Sequence, residues 1–173
     1  MNKLTKAIQA EVAGKIVEAT QAYEDILKLR KVPLSAYLNL AFLYWQSTEY
    51  GFNVAYHLSP EFIKLSGTRY TQVLQVAEKQ FPEHPELQFW RMYFDFVTLG
   101  APPFVEACQR LVSESNCSLV PYFYLYAMFE GHAYQKEAKA LLEEFEKLPT
   151  FKHRYIASII KGIRIDHHHV PID

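Results

Sequence analysis

The sequence predicts an all-α chain assembled from successive helix pairs, and three observations predict it. Apolar residues recur at helical spacing along most of the chain. Proline and glycine fall between segments of helical length, at Gly14, Pro33, Pro60, Pro82, Pro85, Gly100, Pro102, Pro103, Gly131 and Pro149. The pattern of two helices and a turn returns about every 40 residues, a spacing expected of stacked repeats.

The clearest single helix is Leu87–Leu99, LQFWRMYFDFVTL. Its polar members, Gln88, Arg91, Asp95 and Thr98, fall at steps of three, four and three, which is one stripe on a helix. Everything else on it is apolar or aromatic. A helix with one thin wet edge sits between other helices rather than on top of them.

At 173 residues the chain has enough length to bury a substantial core as one domain, expected over residues 1–165. Half of it is hydrophobic and 15% aromatic, which argues against disorder. A net charge of −1 and interspersed charges give no basic footprint for nucleic acid. The apolar runs fall short of a membrane span, and the amino terminus carries no secretory core before its first acidic residue, so a cytoplasmic protein is expected. Cys108 and Cys117 are too few for a disulfide framework and are expected as reduced thiols.

In chain order, residues 3–13 and 15–30 form the first pair, with Gly14 at the turn. The second takes its first helix from the run Ala36–Ala41 onward. An insertion, TEYGFNVAYHLSP at 48–60, precedes its second helix, which runs from Pro60 to about Phe81. Ser59 suits the cap of that helix and Pro60 its first turn, while Gly67 is a place for it to loosen or divide. The third pair spans 86–115, with the turn at Gly100 and Pro102-Pro103. The fourth spans 119–148, with its turn at Gly131. A last helix over 151–163 has no partner and caps the stack. Residues 166–173 are expected as a mobile tail.

The first two pairs resemble the tetratricopeptide repeat. Ala7, Gly14, Ala19, Tyr23 and Leu27, followed by Pro33, stand at or near that family's spacing, and the run Ala36-Tyr37-Leu38-Asn39-Leu40-Ala41 with Tyr44 matches a first helix. The resemblance covers residues 7–45 well and 30–150 loosely. It implies a right-handed α-α superhelix of about four pairs plus the capping helix, residues 3–30, 34–81, 86–115, 119–148 and 151–163. An irregular helical bundle is the alternative.

The resemblance also implies a place for a site, because first helices in this family line a concave face. The corresponding positions are Leu38, Phe42, Trp45 and Gln46 in the second pair, Trp90, Phe94, Val97 and Thr98 in the third, and Phe123 and Glu130 in the fourth. They lack the Lys, Arg and Asn with which family members clamp a terminal carboxylate, and Asn39 is a framework position. Two readings stay open. In one, Phe42, Trp45, Trp90 and Phe94 line an apolar groove for a protein or peptide segment. In the other, the chain itself covers them, through the 48–60 insertion or the tail.

Chemistry is not legible elsewhere. His167, His168 and His169 with Asp166 are ligand types that suit zinc or nickel, but adjacent residues in a tail hold no preformed geometry, so no metal or other cofactor is expected. His57, His84, His132 and His153 are scattered singly, as surface or helix-end residues. No nucleophile elbow, phosphate loop or paired-histidine zinc motif is present. The expectation is a non-catalytic interaction module, adaptor or regulator, as a monomer or weak homodimer. The alternatives are an inhibitor of the immunity-protein type neutralising one partner, and a self-assembling structural protein.

Overall fold

The computed structural model describes residues 2–115, 117–146 and 149–166, the last three of these in backbone only. The described residues form ten helices and no strand. Their contacts group into two compact units. One holds residues 2–82 together with Thr150–Lys152, and the other begins at Glu83 and takes in the rest. Asp166, expected at the start of the tail, is the last residue of the final helix, and the histidines at 167–169 with the rest of the tail lie outside the described residues.

The first unit contains α1 (Lys3–Val12), α2 (Ile16–Leu27), α3 (Leu34–Ser47), α4 (Tyr50–Ala55) and α5 (Pro60–Gln80). Its centre is α3, LSAYLNLAFLYWQS. Every residue from Ala36 to Trp45 is buried. A helix with no polar stripe has no face to give to water and must be enclosed, and α3 packs against α2, α4 and α5. Gly14 turns the chain between α1 and α2 at φ 74°, a left-handed conformation that glycine adopts without strain.

Helix α5 starts as expected: Ser59 Oγ accepts the Phe62 N–H at 3.2 Å, with Pro60 in the first turn. It does not loosen or divide at Gly67. A glycine inside a helix costs only about 1 kcal/mol against alanine. Here α5 is anchored on both sides of it, by buried Ser66 and by buried Val73, Leu74 and Ala77. Arg69 adds a bidentate pair, its Nε and guanidinium N–H groups each 2.7 Å from the Glu24 carboxylate of α2.

The 48–60 insertion is not simply an expanded loop, because it contains α4. Phe52 and Tyr56, four residues apart on one face, pack edge-on against Phe151 with ring centroids 5.0 and 5.4 Å away. His57 at φ 50° ends the helix, and the Leu58 N–H reaches back to the Asn53 carbonyl at 3.0 Å.

A polar cluster lies in this apolar unit. Glu11 of α1 accepts the Tyr23 hydroxyl at 2.6 Å, and Asn39 donates to the same phenol oxygen at 3.3 Å. Buried polar groups persist where hydrogen bonds replace those lost to water. Burial and the neighbouring Glu11 carboxylate push the Tyr23 phenol well above its ordinary pKa, so it stays a neutral donor.

The second unit contains α6 (Pro85–Leu99), α7 (Val105–Glu114), α8 (Pro121–Met128), α9 (Gln135–Phe145) and, apart from its first two residues, α10 (Phe151–Asp166). The wet stripe of α6 is where its spacing predicts: Gln88, Arg91, Asp95 and Thr98 are exposed. The opposite face supplies an aromatic core. Phe89 and Tyr93 stack at 5.6 Å, and Phe123 of α8 meets Phe89, Trp90 and Tyr93 at 5.5, 6.0 and 5.2 Å. Phe104 and Tyr124 lie almost parallel at 4.1 Å, and the Tyr124 hydroxyl accepts the Phe104 N–H. The hydroxyls of Tyr93 and Tyr155 pair at 2.7 Å, joining α6 to α10.

Candidate interaction surface

Six of the ten residues that the sequence placed on a concave face are interior. Leu38, Phe42 and Trp45 in the first unit, and Trp90, Phe94 and Phe123 in the second, are each at most 3% exposed. They do not line an open groove. The reason is the area involved: aromatic side chains bury 150–250 Å2 each, and these satisfy that demand by packing on one another. Phe42 meets Trp45 at 5.3 Å, and Trp90 meets Phe94 at 5.5 Å. Gln46 is half-buried, and its carbonyl oxygen is buried without a hydrogen-bond partner. Val97 and Thr98, at the end of α6, and Glu130, just after α8, are the exposed members of that set.

An open apolar surface lies instead between α9 and α10, in the second unit. It is a groove of about 430 Å3. Leu142, Phe145, Pro149 and Ala157 supply its apolar lining, Arg154 and Lys161 line it from α10, and Glu146 from the α9 side. Local sequence explains the shape. Ala138, Leu141 and Phe145 bury the inner face of α9, so Leu142, one position round the helix, is left half-exposed. On α10, Ile156 and Ile160 are fully buried, so Ala157 sits at the edge of the buried stripe and Arg154, Ser158 and Lys161 stand in water. Phe145 and His153 meet across the walls, stacked at 4.1 Å with planes 10° apart. By sequence, Glu143, Glu144 and Glu146 with Lys139 and Lys147 read as a charged, solvated face of the fourth pair's second helix. Lys139 and Glu143, exposed and 3.9 Å apart, fit that description, but the apolar flank beside them was missed. Its signal was Leu142 beside Leu141, one more apolar residue than a single buried stripe needs.

Other reactive side chains are dispersed. His84 is a helix-end residue, its Nδ1 accepting the Glu86 N–H at 3.2 Å. Its Nε2 lies 3.9 Å from the exposed Cys117 thiol. Cys108 is buried, and burial pushes its thiol up to about 12. Among the described residues no group of three or more histidine, cysteine or acidic side chains is placed to hold a metal. No helix among them is long and apolar enough to cross a membrane.

No protein-family model matches this chain, and no curated protein or solved structure is significantly similar to it.

Proposed function

We propose that this chain is a tetratricopeptide-like, non-catalytic protein-binding module that takes a partner segment in the groove between α9 and α10. The observation that carries the reading is the contrast between the buried aromatic faces and an apolar groove left open between α9 and α10 with charges at its edges. An apolar floor with a polar rim is the usual anatomy of a protein-recognition patch. The order of packing supports the same reading. Within each unit, helices pack on their neighbours in sequence, α1 on α2 and α2 on α3, then α6 on α7, α7 on α8 and α8 on α9.

The test places a photo-crosslinking amino acid at Ser158, on the groove edge, and at Ser113, on the exposed face of α7. The expected result is a discrete protein adduct from position 158 that disappears when Ala157→Trp fills the floor. Adducts that are equal at both positions, or indifferent to Ala157→Trp, would sink the reading.

A further inference from the structure

We infer that Cys117 and His84 form a thiol–disulfide exchange site for small disulfides that carry ammonium groups.

The start of α6 assembles the pair. The Glu86 N–H donates to His84 Nδ1 at 3.2 Å, so the proton of the neutral ring sits on Nε2. That atom faces Cys117 Sγ, 3.9 Å away. Glu86 also holds the loop that carries the cysteine. The Ser118 hydroxyl donates to its carboxylate at 3.0 Å, and the same hydroxyl oxygen accepts the Val120 N–H at 3.2 Å. On the other side, Ser115 Oγ accepts the Cys117 N–H at 3.3 Å. An exposed sulfur is thus set against an N–H donor by bonds before and after it. The other cysteine of the chain is its opposite. Cys108 is fully buried, with its sulfur 3.5 Å from the Pro121 carbonyl.

The adjoining pocket selects the co-reactant. It has a volume of about 510 Å3 and is lined by Glu83, Pro85, Gln88, Leu111, Glu114 and Ser115. Glu83 and Pro85 flank His84 in sequence, and Ser115 is the residue bonded to the Cys117 N–H, so the pocket opens beside the sulfur. Its charged lining residues, Glu83 and Glu114, are both exposed carboxylates. Arg110, four residues before Glu114 on α7, lies outside that lining. A surface of one sign raises the local concentration of ligands of the other. A disulfide with an ammonium group on its arm gains from the two carboxylates, whereas an anionic one is repelled.

The step is an exchange. The Cys117 thiol loses its proton to water, and Sγ attacks one sulfur of the disulfide. The new S–S bond forms as the old one breaks, and the other half leaves as a thiolate that takes a proton from water. Cys117 is oxidised to a mixed disulfide and the departing half is reduced to a thiol. His84 transfers no proton. Its Nε2–H donates a hydrogen bond to the negative charge carried by sulfur, the stronger kind of acceptor. The chain has two cysteines, and Cys108 is enclosed, so no second thiol of the fold resolves the adduct and it persists.

The experiment treats the full chain, at one pH, with cationic cystamine, neutral hydroxyethyl disulfide and anionic glutathione disulfide. Intact mass and peptide mapping give the rate at each cysteine. Each rate is divided by that of N-acetylcysteinamide with the same disulfide, which removes the intrinsic difference between reagents. The expected result is one adduct per chain, on Cys117 and not on Cys108. Cystamine should lead hydroxyethyl disulfide by on the order of fivefold at low salt, with glutathione disulfide slowest, and the lead should shrink as salt rises. The double variant E83Q/E114Q should remove most of that lead. His84→Ser keeps a favoured cap on α6 while deleting the donor. It should slow Cys117 with all three reagents by about three- to tenfold, the worth of one hydrogen bond, with an unchanged circular-dichroism spectrum. Equal normalised rates for the three disulfides on the unaltered chain overturn the ammonium preference. Rates at Cys117 that His84→Ser leaves unchanged overturn the role of the histidine. Cys117 reacting no faster than the reference thiol with any reagent, or Cys108 reacting as fast as Cys117, overturns the site as a whole.

Discussion

The Glu11 carboxylate accepts the backbone N–H of Phe151 at 2.7 Å, across 140 positions of sequence. The other oxygen of the same carboxylate accepts the Tyr23 hydroxyl. One side chain of α1 thus holds both the second helix of its own pair and the start of α10, where Phe151 also packs into the rings of Phe52 and Tyr56. Thr150–Lys152 belong to the first unit through such contacts.

Replacing Glu11 by alanine is expected to cost about 2–5 kcal/mol, because it strips acceptors from a buried hydroxyl and a backbone N–H rather than removing one exposed contact. Urea unfolding followed by circular dichroism measures it. The double variant Glu11→Ala/Tyr23→Phe should lose less than the sum of the two single changes, since the orphaned hydroxyl is gone. Strict additivity would show that the Tyr23–Glu11 bond contributes nothing.

The Glu24–Arg69 pair makes a pH prediction. Burial alone would raise the Glu24 carboxyl, but hydrogen bonding and charge from Arg69, with a bond from Tyr44, outweigh it and hold the pKa below its ordinary value. The folded state therefore binds this proton more weakly than the unfolded chain does. The pair's contribution is full above the unfolded pKa and is lost as pH falls through the folded one. Urea midpoints should drop between about pH 5 and pH 3, and Arg69→Met should flatten that drop while lowering stability at neutral pH. An unchanged acid slope in Arg69→Met would assign the acid sensitivity to other carboxylates.

Trp90 is a core residue, packed on Phe89, Tyr93, Phe94 and Phe123. Trp90→Ala is expected to destabilise the chain by about 3–5 kcal/mol, visible as a lower thermal midpoint. Arg91→Ala, on the exposed stripe one residue away, should move the midpoint little. A fully stable Trp90→Ala protein with altered binding would restore the aromatic groove.

Legibility in the sequence followed the range of the physics. The cap at Ser59, the turn at Gly14 and the wet stripe of α6 depend on residues within a few positions of one another, and each is where spacing places it. The misses depend on contacts far along the chain. The α4 helix forms because Phe52 and Tyr56 find Phe151, about a hundred residues away. Gly67 does not divide α5 because Arg69 finds Glu24. The burial of Glu11 had a local hint, since it stands four residues after Ala7 on the buried side of α1, but a carboxylate there makes sense only once Tyr23 and Phe151 are beside it.

By itself, the sequence determined an all-helical chain, the approximate bounds of its helices and which α6 residues face water, because backbone hydrogen bonding and apolar periodicity are local. Only the tertiary structure decided whether an apolar surface is core or site. Phe42, Trp45, Trp90 and Phe94 have the composition of a binding groove and are enclosed, while Leu142 and Ala157 look like ordinary helix residues and line an open channel. Whether an apolar surface is removed from water depends on the neighbouring side chains that enclose it, and those neighbours are set by how the helices pack.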